Sequence, residues 1–210
     1  MTEDEARSWL ASTFDVSRGT WEMLERYIAL LFDEMSRQNL IAESTRDQVW
    51  ARHIVDSAQL IPMADGAAAG EWVDLGSGAG LPGIVVAVLL GRPVVLVESR
   101  RKRIDFLQSV VDALALRVTV EGRRVEMCKQ PHPAAVISAR AFAPLDRLLA
   151  VAEHLADENT IWTLPKGRQA QNELASVSHT WQGEFHVERS ITDPDSAIIV
   201  ARNVKRKGRR

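Results

Sequence analysis

EWVDLGSGAGLPGIVVAVLLGRPVVLVESRRKR, residues 71–103, reads as strand, glycine loop, helix and strand. The first strand, Trp72 to Leu75, carries Asp74 near its end, and Gly76, Gly78 and Gly80 follow at every second position. Pro82 opens an apolar helix, Gly83 to Leu90, and Gly91-Arg92-Pro93 turns the chain into a second strand, Val94 to Val97. That strand runs into another acid, Glu98. This is half of a nucleoside-binding α/β unit, in which a ligand sits at the carboxyl ends of the strands.

The same alternation continues towards the C-terminus. Ser99 is placed to cap a helix reaching about Leu114, with Ile104, Leu107, Val110, Val111 and Leu114 facing inward. Strands are expected at Arg117 to Glu121, Ala134 to Ser138 and Thr160 to Leu164, with a polar loop over 122–133. Helices are expected at Leu145 to Leu155 and Arg168 to Ser178. Two last strands, Phe185 to Arg189 and Ala197 to Val200, are joined by Asp193-Pro194-Asp195-Ser196. A tight turn cannot join parallel neighbours, so the sheet must close with an antiparallel strand.

Towards the N-terminus the pattern is helical throughout. Residues 3–14 form a short amphipathic helix carrying Trp9, Leu10 and Phe14, and Thr20 is placed to cap the next. Trp21, Leu24, Ile28, Leu31, Phe32 and Met35 then recur at helical spacing, a stripe that belongs to a core, and Asn39 ends it. Ser44 with Asp47 resembles a capping box for a third helix running to Ile61, where Pro62 stops it. His53 and Asp56 lie one turn apart on that helix, as a catalytic pair or as a hydrogen-bonded junction between helix and domain. The small residues 64–70, ADGAAAG, make the join. The expected organisation is a helical extension over 1–65, an α/β domain over 66–201 and a basic tail over 202–210.

Composition narrows the class. The chain has 210 residues, 46% of them hydrophobic, enough to bury a proper core. Its one cysteine, Cys128, excludes an internal disulfide and a cysteine-based metal cluster. The acidic start MTEDEARSWL has no apolar core of a signal peptide, and no apolar run reaches membrane-spanning length. A cytoplasmic protein is expected, without a metal, and a monomer. The net charge of −2 hides an asymmetry: residues 1–70 hold 12 acids and 6 bases (−6), residues 71–210 hold 16 acids and 20 bases (+4). A basic half ending in Lys205, Arg206, Lys207, Arg209 and Arg210 suggests a polyanion partner, or else a solvated terminus.

Gly78-Ala79-Gly80-Leu81-Pro82-Gly83 matches the dinucleotide fingerprint G-x-G-x-x-G, and Glu98 stands where a ribose-binding acid belongs. Two residues argue against NAD. Pro82 has no N–H at the helix start, where a pyrophosphate needs donors, and the Asp74 charge would face the same phosphates. S-adenosylmethionine reverses both objections, because it has no phosphate and carries an ammonium and a sulfonium. The glycines let its backbone neighbours approach closely, and Glu98 can accept from the ribose hydroxyls. The fold expected is therefore a Rossmann-like class I methyltransferase, with a mostly parallel seven-stranded sheet, a closing antiparallel hairpin and an N-terminal helical extension.

The acceptor atom is read from what the chain lacks. Exocyclic amine methylation commonly goes with an Asn/Asp-Pro-Pro-aromatic run after the fourth strand, where this chain has Ser138-Ala139-Arg140-Ala141-Phe142. Carbon-5 methylation of a pyrimidine needs a cysteine nucleophile, and Cys128 after Met127 reads as a bystander. Guanine N7 needs neither, since its ring lone pair is free. Alignment at near-attack distance, ~3 to 3.5 Å, is then sufficient.

With these motifs the chain resembles the RsmG (GidB) family of small-subunit ribosomal RNA guanine-N7 methyltransferases over nearly its whole length. The matching pieces are Asn39-Leu40, His53 to Ser57, Asp74 to Gly83, Glu98 with Lys102-Arg103 and Phe106-Leu107, Arg124-Val125-Glu126, Arg140-Ala141 and Lys166-Gly167. The resemblance implies methylation of a guanosine in the 530 loop of 16S rRNA (nucleotide 527 in the usual numbering), and a link between loss of activity and low-level streptomycin resistance. It also implies cofactor contacts from Gly76 and Leu81, an adenine flanked by Val125 and Glu126, and Arg140 at the junction of cofactor and substrate. Ala139 and Met127 depart from the family pattern, where Ser and a second acid are frequent.

Beside the resemblance, Arg140 and Lys166 fall at the ends of the fourth and fifth strands, on the edge that carries the cofactor. There each could hold a phosphate or a guanine O6, or close a loop by a salt bridge. The expected cofactor set is Asp74, Gly76, Ser77, Gly78, Gly80, Leu81, Glu98, Val125, Glu126 and Arg140. Arg100, Arg101, Lys102, Arg103, Arg123 and Arg124 are a candidate phosphate-binding rim for the small-subunit RNA, joined by Lys205, Arg206 and Lys207. Four cations at a helix start oppose the macrodipole, which hints at a functional reason for the 100–103 cluster.

Overall fold

The computed structural model describes residues 1–208. Its sheet has seven strands: β1 (Trp72–Leu75), β2 (Val94–Val97), β3 (Val118–Glu121), β4 (Val136–Ser138), β5 (Ile161–Gly167), β6 (Trp181–Arg189) and β7 (Ala197–Arg206). Their order is β3-β2-β1-β4-β5-β7-β6. Pairs β3·β2, β2·β1, β1·β4 and β4·β5 are parallel, and β7 runs antiparallel to both β5 and β6. β1, β2, β4 and most of β5 are buried on both faces, which is why they read as mainly apolar runs, broken by the buried Asp74, Ser138 and Thr163. The chain reverses its direction of winding between β1 and β4, and a ligand crevice opens there beyond the carboxyl ends.

Helices cover both faces. α1 (Glu3–Thr13), α2 (Arg18–Glu34), α5 (Gly83–Leu90) and α6 (Arg101–Ala113) share one core with the short turns α3 (Asp56–Ala58) and α4 (Leu60–Met63). α7 (Leu145–Ala152) and α8 (Ala170–Val177) build the core on the other face. The N-terminal helices thus pack on the sheet through α5, with Leu24, Tyr27 and Leu31 fully buried.

Several local expectations change. Ser17, not Thr20, caps α2, its Oγ accepting from the Thr20 N–H at 3.1 Å, and α2 ends at Glu34, short of Asn39. The Ser44–Asp47 capping box does not form: Glu43–Gln48 is a 3-10 turn with Ala42 at its N-cap and no side-chain cap. It continues into a π-helical segment, Trp50–Val55, whose Trp50 and Ala51 N–H groups donate to Glu3 of α1. Pro62 lies inside α4 rather than ending it, because the first turn of so short a helix needs no donor there. Ser99 does not cap α6. Arg100 holds the N-cap position, and the Glu98 carboxylate accepts from the Ser99 and Arg100 N–H groups at 2.7 and 2.9 Å.

The closing hairpin is longer than expected. Arg202 to Arg206 are the end of β7, so the presumed tail from 202 is mostly strand, and Arg209 and Arg210 lie outside the described residues. Ala197 pairs with Gly167 at the carboxyl edge, whereas Arg206 pairs with Trp181 at the opposite edge.

Candidate active site

The glycine loop is held from three sides. Gly76, Gly78 and Gly80 have φ of 67°, 57° and 91°, left-handed values that a side chain would strain. Beneath them Asp74 is fully buried, accepting from Ser138 Oγ at 2.9 Å and from the Gly83 N–H at 3.2 Å. Burial raises its carboxyl from 3.8 to about 6, against the pull of Ser138, Ser77 and the Gly83 N–H. Asp74 therefore organises the loop from below rather than facing a ligand. It also occupies the first N–H of α5, the donor a dinucleotide pyrophosphate would take. Ser77 is likewise buried, its Oγ donating to the Asp74 carbonyl at 2.9 Å.

The third support was not read from the sequence. Tyr27, the only tyrosine, sits on α2 and donates from its hydroxyl to the Ala79 carbonyl at 2.8 Å. Burial drives its phenol pKa well up. The available signal was its position three residues after Leu24 on the apolar stripe, with a hydroxyl that a buried site must satisfy.

Glu98 links the loop to β2. Its Oε2 accepts from the Gly78 N–H at 3.1 Å and lies 3.6 Å from the Arg103 guanidinium. Three of its four lone-pair directions are thus taken by backbone donors. The same carboxylate resolves the conflict at the start of α6, where it offsets the helix dipole and the cations Arg101, Lys102 and Arg103.

Two clefts open on this edge. One, about 380 Å³, is lined by Gly76, Glu98, Val125, Glu126 and Phe142, with Arg100, Arg103, Arg123, Arg124 and Arg147 around it. The other, about 430 Å³, lies between Arg140 to Ala143, Lys166 and the β6–β7 turn. Leu81 is buried in the core under the loop and lines neither cleft. Arg101 and Lys102 are exposed beside the first cleft.

Arg140 is one wall of the second cleft. It donates to Asp56 Oδ2 and to the Arg52 carbonyl at 3.2 and 3.3 Å, and to His53 Nδ1 at 3.2 Å. That spends three of the five guanidinium N–H groups and leaves two for a ligand. His53 is buried, and burial with the Arg140 and Arg52 charges pushes its pKa down to about 3. It is neutral, accepts at Nδ1, and so carries its proton on Nε2, which meets Thr45 Oγ1 at 2.7 Å. Asp56 also accepts from Thr192 and Gln59, tying the N-terminal segment to the β6–β7 turn. His53 and Asp56 are therefore a junction that holds Arg140, not an acid–base pair.

Lys166 lines the second cleft, and its ammonium is engaged by the protein. Its Nζ donates to the Ala143 carbonyl at 2.6 Å and pairs with Glu173 at 3.0 Å, while Glu173 also accepts from the Leu145 N–H. Lys166 thus fixes the loop after β4. Arg123 pairs with Glu121, and Arg124 is exposed at the cleft mouth. Lys205, Arg206 and Lys207 lie on the far edge, where Arg206 pairs with Glu153 and Lys207 donates to the Ser178 carbonyl. Among the described residues no group of three or more His, Cys, Asp or Glu could hold a metal, and no helix is long and apolar enough to cross a membrane.

A family model described as rRNA small subunit methyltransferase G matches residues 20–197. The chain belongs to that family. A protein named ribosomal RNA small subunit methyltransferase G from Rhizorhabdus wittichii is 54% identical, covering 100% of this chain and 96% of its own. The Zymomonas mobilis protein of the same name is 47% identical over 99% of this chain and 96% of its own. Family membership makes the chain an S-adenosylmethionine-dependent methyltransferase. The fold agrees: the glycopeptide N-methyltransferase MtfA complexed with sinefungin superposes with a TM-score of 0.58 at 9% identity, over 71% of this chain and 93% of that one. M. jannaschii TYW2 in complex with AdoMet gives 0.53 at 11% identity, over 73% and 77%.

The cofactor fits the residues present. A phosphate-free nucleoside needs no helix N-terminus, and Asp74 has closed that one. Of the loop glycines, Gly76 lines the first cleft, together with Glu98, Val125 and Glu126, while Gly78 and Gly80 shape the turn behind it.

Proposed function

We propose that the protein methylates small-subunit ribosomal RNA, and that the acceptor is N7 of a guanosine in the 530 loop of 16S rRNA. The methyltransferase G relatives support the rRNA substrate. The observation that carries the finer reading is the absence of a free base in the second cleft, among the described residues. His53 is neutral with both ring nitrogens engaged. Asp56 is held by Arg140, Thr192 and Gln59. Asp193, hydrogen-bonded by the Asp195 N–H and by Arg52, is held below the usual carboxylate range. Cys128 is buried and its thiol is pushed up to about 11, which removes a thiolate route to carbon-5 methylation.

Guanine N7 is the acceptor that such a site suits. S-adenosylmethionine supplies an electrophilic methyl on a sulfonium. As the N7 lone pair forms the new N–CH3 bond the S–CH3 bond breaks, S-adenosylhomocysteine leaves, and no proton moves. The protein's task is alignment. The two free N–H groups of Arg140 hold a guanine O6 or a phosphate beside the reacting atom, and Asp56 and His53 fix the guanidinium. Lys166 and Glu173 fix the loop that follows it.

Labelled-methyl transfer to small subunits lacking the modification, with the product nucleoside mapped by mass spectrometry, tests this. The expected product is 7-methylguanosine in the 530 loop. A methyl on another atom or nucleotide overturns the finer reading. Binding without transfer, where a known methyltransferase works, would make the chain an RNA-binding module.

A further inference from the structure

We propose that Phe142 is the platform on which the acceptor purine stacks, and that its contact with the Gly76 turn registers that base against the methyl donor. This rests on the rRNA methyltransferase reading above. Phe142 is the one aromatic residue among those lining either cleft, and it lines both. It is also 36% exposed, unusual for a phenylalanine in a chain whose other four are more buried.

The backbone presents it deliberately. Ala141 has φ of 52°, a left-handed value that costs energy in a residue with a side chain. The segment is pinned on both sides, by Arg140 to Asp56, His53 and the Arg52 carbonyl, and by Lys166 to the Ala143 carbonyl. Between these pins the ring lies with its Cδ2–Cε2 edge on Gly76, where an added Cβ would come within 2.5 Å of Cδ2. Gly76 thus lacks a side chain for two reasons, its positive φ and this ring. Edge contact leaves the faces of the ring for a ligand.

An unstacked base in single-stranded RNA is what such a surface takes. RNA modules recognise splayed bases by stacking them on aromatic rings, and enzymes acting on a base hold it out of its stack. A base on Phe142 would lie between the cofactor cleft and Arg140, within reach of that guanidinium. The ring also transmits the position of the Gly76 turn to the base, so donor and acceptor share one reference.

The test compares Phe142→Leu, Phe142→Tyr and wild type. Stacking on an aromatic is worth about 1 to 3 kcal/mol per base, which converts to roughly a 5- to 150-fold loss in kcat/KM for RNA with Leu. Tyr, which keeps the ring, is expected within about threefold of wild type. Affinity for S-adenosylhomocysteine, by calorimetry, should fall by clearly less than RNA turnover does, the ring being also part of the cofactor cleft, and the retained binding certifies that the Leu variant is folded. Equal loss of RNA turnover and cofactor affinity would assign the ring to the cofactor and overturn the proposal. So would full activity in Leu, or failure of Tyr to restore it. Wild-type transfer to a different nucleotide would refute the substrate reading while leaving the Leu-to-Tyr comparison to judge the ring.

Discussion

Asp74 supports the glycine loop from beneath, held by Ser138 and the Gly83 N–H. The sequence placed it beside the glycines, where its charge suited a cationic ligand. The fold turns it under the loop, because a residue on β1 with both faces covered has only buried partners, Ser138 and the Gly83 N–H. Its pKa, raised from 3.8 to about 6, sets a sign. The native state binds the proton more tightly than the unfolded chain, so this group's contribution to stability is complete below about pH 4 and is lost as pH rises through about 6. At about 1.4 kcal/mol per unit the change is at most about 3 kcal/mol. Asp74→Asn cannot titrate. The stability of wild type relative to the variant should therefore increase as pH falls from about 7 to 4 in denaturant melts, and parallel profiles would refute the assignment.

Elements built on periodicity were read well, and elements built on long-range partners were not. The apolar stripe of α2 and the alternation from β1 to α8 are local signals. The start of α6 is closed locally by Glu98, an acid two residues before Arg100 rather than a Ser at the N-cap, whereas the cap of the π-helical turn lies outside any local window, since its donors reach Glu3, 47 residues away. The bond from α2 to the glycine loop is of the same kind: Tyr27 and Ala79 are 52 residues apart. Its removal should be felt in two places. Tyr27→Phe keeps the packing but leaves the buried Ala79 carbonyl unpaired, a cost of about 1 to 3 kcal/mol. Because that carbonyl belongs to the loop, affinity for S-adenosylhomocysteine should fall severalfold as well. A variant that melts lower yet binds S-adenosylhomocysteine as tightly as wild type would show that α2 supports the fold without setting the loop.

Across the whole molecule, charge is arranged by sheet edge more than by position along the chain. Counting residues made 202–210 a basic tail free to reach RNA. The β6–β7 pairing instead carries Lys205 and Arg206 away from the clefts: nine steps of strand from Ala197, at about 3.3 Å each, put Arg206 roughly 30 Å from the carboxyl edge. Arg206 there lies over Trp181 and pairs with Glu153, so part of its charge is already spent. Arg100, Arg101 and Lys102 are exposed on the edge that holds both clefts. If RNA is held across that edge, the counterions it releases come from this rim. Each phosphate contact to a single strand contributes about 0.7 to the slope of log affinity against log salt. Replacing Arg100, Arg101 and Lys102 together by Gln should flatten that slope by roughly 2 in filter binding of 530-loop RNA. Arg103 is spared because it faces Glu98. The matching replacement of Lys205, Arg206 and Lys207 should shift the slope by less than about 0.7, under one contact. Equal losses from the two sets would mean that the RNA wraps the amino-terminal edge as well, and that the closing hairpin is part of its path.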